Sequence, residues 1–290
     1  MFTTLITPEQ LQQLQASAAP LAVFDCTFDL MNPAAGAQQF AQCHVAGARH
    51  ADLDHHLSHH PHTASADDWP ASAGRHPLPS RSTFAAWLGS QDVGNGTQVV
   101  VYDRNGMNYC GRLWWMLKWC GHEAVAVLDG GLAAWQAAQG AVESGDSLAA
   151  EPARFELGEP LATLTDTATV LAGLGQASQT VLDARGAPRY RGEVEPLDPI
   201  AGHIPGALNR PFSDNLGPDG RFKPAAQLQA EFSALLAGRN PASVVHQCGS
   251  GVSAVPNLLA MELAGLGRQA LYAGSWSEWS RTPGLPVEKG

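Results

Sequence analysis

Long apolar runs are missing from this chain of 290 residues: 44% of it is hydrophobic, yet no stretch reaches the length needed to cross a bilayer. Clusters of lysine and arginine are missing too. With a formal net charge of -10, the chain is poorly suited to a nucleic-acid surface, and its acidity reads as a solubility feature. Cysteine is scarce, at five residues, and the odd number with no Cys-x-x-Cys pair excludes a disulfide framework or a zinc ribbon. A reducing compartment fits that usage, and the cytoplasm is the expected location. Nothing in the pattern asks for a cofactor. The opening residues Thr7-Pro8-Glu9-Gln10 read as an N-cap, a proline at the first helical position and a capping-box glutamine, which predicts a helix rather than a secretory leader.

What the chain does have is one unusual cysteine. Ser243-Val244-Val245 is a short β-branched run after the turn signal Asn240-Pro241, and Val252 to Leu263 carries apolar residues at helical spacing. Between them lies His246-Gln247-Cys248-Gly249-Ser250-Gly251-Val252-Ser253. A strand, a tight loop and a helix are therefore expected, with Cys248 at the junction. Backbone N–H groups that converge there, and the positive end of a following helix, stabilise a thiolate. The glycines let the backbone fold around sulfur without obstruction, and Ser250 adds a hydroxyl. A cysteine that only packs has no need of so bare a loop.

Along the chain, strands alternate with helices. The first half reads helix Pro8 to Gln15, strand Leu21 to Asp25, a long irregular stretch, helix Arg81 to Leu88, strand Gln98 to Tyr102, helix Tyr109 to Trp119, strand Ala124 to Leu128 and helix Leu132 to Ala138. The second reads helix Asp166 to Ala172, strand Val181 to Asp183, an excursion, helix Gln227 to Leu236, strand Ser243 to Gln247, a helix, strand Gln269 to Tyr272 and a turn around Trp276 to Trp279. This predicts an α/β fold in two domains, 1–145 and 165–290, joined by a linker at 146–164, where periodicity fades and Gly, Pro, Glu and Ala dominate, each domain a parallel sheet with helices on both faces. The halves also match in detail. Leu128-Asp129-Gly130-Gly131-Leu132-Ala133-Ala134-Trp135 aligns with Tyr272-Ala273-Gly274-Ser275-Trp276-Ser277-Glu278-Trp279, and His44-Val45-Ala46-Gly47-Ala48 aligns with His203-Ile204-Pro205-Gly206-Ala207. The offset of 144 between Trp135 and Trp279 sets Arg104 opposite Cys248, so the first half is expected to be inactive.

Two copies of which the second keeps the cysteine, with His-x-Pro-Gly-Ala, Tyr-x-Gly-Ser-Trp-x-Glu-Trp and Cys-Gly-Ser-Gly-Val-Ser, resemble the two-domain rhodanese family, in its 3-mercaptopyruvate sulfurtransferase branch. That branch has threonine where this loop has Ser253. The thiosulfate-using branch places Arg and Lys directly after the cysteine, where a dianion gains from them; Gly249 and Ser250 offer no charge. The resemblance implies that Cys248 takes sulfur as a persulfide, that Gly249, Gly251, Val252 and Ser253 shape the binding loop, and that Ser250 works with His76 and Asp54 as a proton relay. It also implies two arginines for the substrate carboxylate. One matches Arg189; the other falls on Leu197, which leaves Arg185 and Arg191 as the nearby arginines able to compensate. The acceptor is expected to be a thiol, such as thioredoxin, or cyanide.

The remaining features carry less chemistry. His55-His56-Leu57-Ser58-His59-His60-Pro61-His62 lacks the cysteine or carboxylate framework that fixes a metal geometry, so no metal site is assigned. Trp114 and Trp115 read as core or interdomain residues, and Cys26, Cys43, Cys110 and Cys120 as packed thiols. Two other classes stand against the sulfurtransferase. A cysteine phosphatase on this fold needs an arginine six positions after its nucleophile, and Ala254 stands there. A non-enzymatic persulfide carrier would lack the ability to load itself from a small donor such as 3-mercaptopyruvate or thiosulfate.

Overall fold

The computed structural model describes residues 1–59, 70–147 and 151–290. The chain forms two compact units. The first comprises the described residues of Met1–Trp69, Pro79–Leu161 and Pro218–Arg221; the second comprises Pro70–Leu78, Ala162–Gly217 and Phe222–Gly290.

In chain order the first unit contains β1 (Leu5–Ile6), β2 (Leu21–Asp25), β3 (His44–Val45), β4 (Arg49–His50), β5 (Gln98–Tyr102), β6 (Val125–Leu128) and β7 (Val142–Glu143). Five of these build a wholly parallel sheet in the order β1-β6-β5-β2-β4, and β3 pairs antiparallel with β7. Alternation along the strands divides the core. Val23, Val100, Tyr102, Ala126 and Leu128 cluster with Leu11, Phe40, Leu132 and Trp135 of helices Pro8–Gln15, Ala34–Gln42 and Gly131–Ala137. From the neighbouring position on β2, Phe24 points to the opposite face and meets Trp87 of helix Arg81–Ser90, ring centroids 5.7 Å apart. Trp114 and Trp115 lie in this core as well, on helix Cys110–Trp119.

The second unit contains β8 (Thr163–Thr165), β9 (Thr180–Asp183), β10 (Leu208–Asn209), β11 (Val244–Gln247) and β12 (Ala270–Tyr272), all parallel in the order β8-β12-β11-β9-β10. Strand for strand this repeats the first sheet. Every residue of β9 and β11 is buried, as a parallel sheet covered on both faces requires. Val181, Val245 and Tyr272 pack with Val170, Trp276 and Trp279 on one face. Truncating a fully buried tryptophan such as Trp276 would cost about 3 to 5 kcal/mol.

The predicted helix Pro8–Gln15 forms with its capping box: Thr7 Oγ1 accepts from the Gln10 N–H, and Gln10 Oε1 accepts from the Thr7 N–H. Helix Ala34–Gln42, within the stretch read as irregular, was not expected. It buries only Gly36 and Phe40, too few for a visible period. Thr163 and Leu164, read as the end of the linker, belong to β8 and pair with Ala270 and Leu271 of β12. The edge strands β4 and β10 are two residues long, below any pattern.

Candidate active site

Cys248 follows the last residue of β11 and is 1% exposed. Helix Val255–Leu263 begins only after the loop 249–254, three residues later than the spacing from Val252 suggested, so the loop's own N–H groups lie between the sulfur and the helix. Gly251 sits at φ +74°, and a Cβ there would come within 2.3 Å of the Ala273 carbonyl oxygen. Only glycine satisfies both conditions. The Cys248 backbone is held from the turn after β12. The Cys248 N–H donates to Ser275 Oγ at 3.1 Å, and the Ser275 hydroxyl donates to the Tyr272 carbonyl at 2.9 Å. The Trp276 and Ser277 N–H groups donate to the Cys248 and Gly249 carbonyls at 3.0 and 2.8 Å. The motif Gly274-Ser275-Trp276 is thus part of the site, a role the sequence registered only as a repeat.

The first unit holds a second copy of this loop, and it corrects one alignment. Tyr102 pairs with Asp25 at the end of β2 as Gln247 pairs with Asp183 at the end of β9, and Gly106 (φ +68°) stands where Gly251 stands. Helices Cys110–Trp119 and Val255–Leu263 then start in step, so the residue opposite Cys248 is Asp103 and not Arg104. The tryptophan offset fails here because the first copy carries one more residue between its loop and Gly131. Asp103 fills its own loop. Its Oδ1 accepts from the N–H groups of Asn105 and Met107 (2.8 and 2.9 Å), and its Oδ2 accepts from Tyr109 and Cys110 (2.8 and 2.9 Å). Burial pushes this carboxyl up from the usual range, and the four N–H groups pull it back. The matching donors in the second unit are Ser250, Val252, Ala254 and Val255. Of these, Val255 donates to the Val252 carbonyl, while the N–H groups of Ser250, Val252 and Ala254 have no protein acceptor among the described residues. The loop around Cys248 has no carboxylate in the place of Asp103, and three of the four matching N–H groups are left for a ligand or solvent.

Ser250 and His76, both buried, are brought together: His76 Nδ1 lies 2.7 Å from Ser250 Oγ. His76 reaches the second unit because residues 70–78 pack with it. Asp54 belongs to the first unit, where its N–H donates to Asp52 Oδ1 at 2.9 Å. Arg189 stands beside the loop, 3.5 Å from the position a Cβ on Gly249 would take, and is held by Glu195 at 2.6 Å. Val252 is buried, and Ser253 is partly exposed near the end of the loop.

Arg185 and Arg191 do not replace the arginine missing at Leu197. Arg185 is 3% exposed, pairs with Asp183 at 2.7 Å and Glu195 at 3.3 Å, donates to the Gly202 carbonyl and stacks on Trp276. It braces the loop that carries Arg189. Arg191 pairs with Glu193 on the surface. Elsewhere, burial pushes the thiols of Cys26 and Cys110 far up and that of Cys120 to about 11, which makes them inert packing residues. His55 and His56 bond to Asp52, while His60 and His62 lie outside the described residues.

Comparison with known proteins places these observations. The model of the rhodanese-like domain matches residues 7–138 and again residues 166–282. A Pseudomonas aeruginosa protein named "Probable 3-mercaptopyruvate sulfurtransferase" is 47% identical over 288 residues, covering 99% of this chain and 98% of the relative. A Mycobacterium tuberculosis protein provisionally named thiosulfate sulfurtransferase SseB is 36% identical over 287 residues, covering 99% and 97%. The crystal structure of SseA from Escherichia coli, described as a 3-mercaptopyruvate sulfotransferase, matches with a TM-score of 0.79 at 29% identity, covering 95% of this chain and all of the other. With its repeated sheet, its intact cysteine loop in the second copy and a carboxylate in the first, the chain belongs to the rhodanese family and carries two rhodanese-like domains.

Proposed function

We propose that the chain is a sulfurtransferase that takes sulfur from 3-mercaptopyruvate onto Cys248 and passes it to a thiol or to cyanide. The observation that carries the reading is the loop: the N–H groups of Ser250, Val252 and Ala254, without a protein acceptor among the described residues, match three of the four that bind the Asp103 carboxylate in the first unit. The Cys248 thiolate attacks the donor's sulfur, the carbon–sulfur bond breaks, and its electron pair forms the enolate of pyruvate. The donor's thiol proton ends on the enolate carbon, with Ser250 and His76 placed to relay it. Cys248 is left as a persulfide anion, held by the loop's N–H groups. Attack of an acceptor thiolate on the outer sulfur restores Cys248. The part of Asp54 in this relay rests on the resemblance alone.

Mercaptopyruvate is favoured because the loop itself carries no cation and the relative at 47% identity is named for that donor. Thiosulfate is the second reading, supported by the SseB similarity and by the guanidinium of Arg189 beside Gly249. Five free cysteines suit the cytoplasm and an acceptor such as thioredoxin. Initial rates on both donors test the proposal. We expect kcat/KM to favour mercaptopyruvate by about a hundredfold, some 2.7 kcal/mol of discrimination, with pyruvate released and turnover abolished in Cys248→Ser. Equal or better use of thiosulfate overturns the donor assignment, and a tenth of the activity surviving in Cys248→Ser overturns the mechanism.

A further inference from the structure

Beside the Cys248 loop the second unit holds an open cleft of about 410 Å³, whose walls include Gly74, Arg75, Ser277, Glu278, Arg281 and Thr282. It reaches the residue after the cysteine at two points. The Ser277 N–H donates to the Gly249 carbonyl at 2.8 Å, and Arg75 Nη2 lies 3.2 Å from the position a Cβ on Gly249 would take. The floor is joined from two segments, since the Arg75 N–H donates to Ser277 Oγ at 2.9 Å. Gly74, at φ +95°, lets them close up: a Cβ there would come within 2.7 Å of the Gly274 carbonyl oxygen.

Two opposite charges face this cleft without neutralising one another. Glu278, in helix Ser275–Trp279, and Arg281, just beyond it, are three residues apart, a spacing at which opposite charges on a helix ordinarily pair. Here the guanidinium is drawn elsewhere. Arg281 Nη1 donates to Oδ1 of buried Asp198 at 3.0 Å and to the Ser277 carbonyl at 2.8 Å. Its Nε and Nη2 have no protein acceptor among the described residues, and 47% of the side chain is exposed. The Glu278 carboxylate folds back over Gly274, where a side chain would collide with it, and has no protein donor among the described residues. A cation held in place and a separate anion on one wall suit a zwitterion, whereas an uncharged thiol gains nothing from either.

We propose that this cleft is the acceptor subsite and that it selects an α-amino thiol, with the carboxylate on Arg281 and the ammonium on Glu278. The inference rests on a persulfide at Cys248, from whichever donor. The acceptor loses its thiol proton to solvent, and its thiolate attacks the outer sulfur. A new sulfur–sulfur bond forms, the bond to Cys248 breaks, Cys248 leaves as a thiolate and the acceptor departs as a persulfide anion.

Four small thiols separate the charges. L-Cysteine carries both, 3-mercaptopropionate only the carboxylate, cysteamine only the ammonium and 2-mercaptoethanol neither. In a double displacement the acceptor's kcat/KM reports the second half-reaction alone, so either mercaptopyruvate or thiosulfate can load Cys248. At equal thiolate concentration, wild type should use cysteine about tenfold better than 2-mercaptoethanol. Arg281→Ala should lose about fivefold on cysteine and 3-mercaptopropionate, and Glu278→Gln about fivefold on cysteine and cysteamine. The 2-mercaptoethanol rate should stay within about twofold in both, as expected for single charged hydrogen bonds at a partly exposed site. Cysteine no better than 2-mercaptoethanol in wild type, or an equal loss on all four thiols in both variants, overturns the inference. A wild-type protein whose intact mass shows no persulfide with either donor overturns the proposed function first, and the inference with it.

Discussion

His246 stands two residues before Cys248, completely buried, and neither of its ring nitrogens has a hydrogen-bond partner among the described residues. Burial with no compensating anion brings its pKa down to about 3. The ring is therefore neutral in any ordinary assay, and its charge does not compete with the loop's N–H groups. It also leaves a mark on stability. The unfolded chain takes up a proton near pH 6.5 that the native state refuses until about 3, so stability is lost as pH falls through that window. The loss is on the order of 5 kcal/mol across it, a drop of 3.5 in pKa at 1.36 kcal/mol each. Urea midpoints measured from pH 7 to pH 4 should fall less steeply in His246→Leu than in wild type. Parallel curves would mean that His246 is not the group that titrates.

The strand, loop and helix around Cys248 form one functional element, and the chain holds it twice in two chemical states. In the first copy Asp103 supplies the anion permanently, and four N–H groups close on it. In the second, Cys248 stands in that place, and under the proposed function it is the reacting group. Asp103→Ala should therefore destabilise the first unit by at least about 3 kcal/mol, because four buried donors lose their acceptor together. Asp103→Asn, which keeps one oxygen, should cost less. Thermal unfolding of both variants checks this, and an Asp103→Ala protein that melts with wild type would show the loop to be solvated after all. The elements themselves were largely legible. Strand Gln98–Tyr102 and helix Pro8–Gln15 form as their patterns indicate, since β-branched runs and capping boxes act over a few residues. Ser275 was not legible as a site residue. Its hydroxyl serves Cys248 only because β11 and β12 lie side by side.

For the whole molecule, the formal net charge of -10 opposes capture of an anionic donor such as the proposed mercaptopyruvate, whereas the guanidinium of Arg189, beside Gly249, favours it. Distance decides between them. At physiological ionic strength the Debye length is about 8 Å, so Arg189 would act on an anion bound beside Gly249 and most of the surface charge would not. We expect kcat/KM for mercaptopyruvate to fall as salt rises from low to physiological concentration, as screening weakens the local attraction. A rise would mean that the global repulsion governs capture.

By itself the sequence determined the duplicated α/β plan and the bare loop around Cys248, and its motifs carried the family resemblance that named the candidates Ser250, His76 and Arg189. Each of these is written in periodicity, in glycine placement or in a short motif, which operate within a few residues of chain. Only the tertiary structure decided that Asp103 is the counterpart of Cys248, because sheet register and not residue counting aligns the two loops. It also decided that Arg185 is tied to Asp183 and Glu195, that Ser275 holds the Cys248 backbone, and that His76 stands beside Ser250. Those are facts about which distant segments share a surface: residues 70–78 join the second unit across the chain. A local pattern carries no record of that packing.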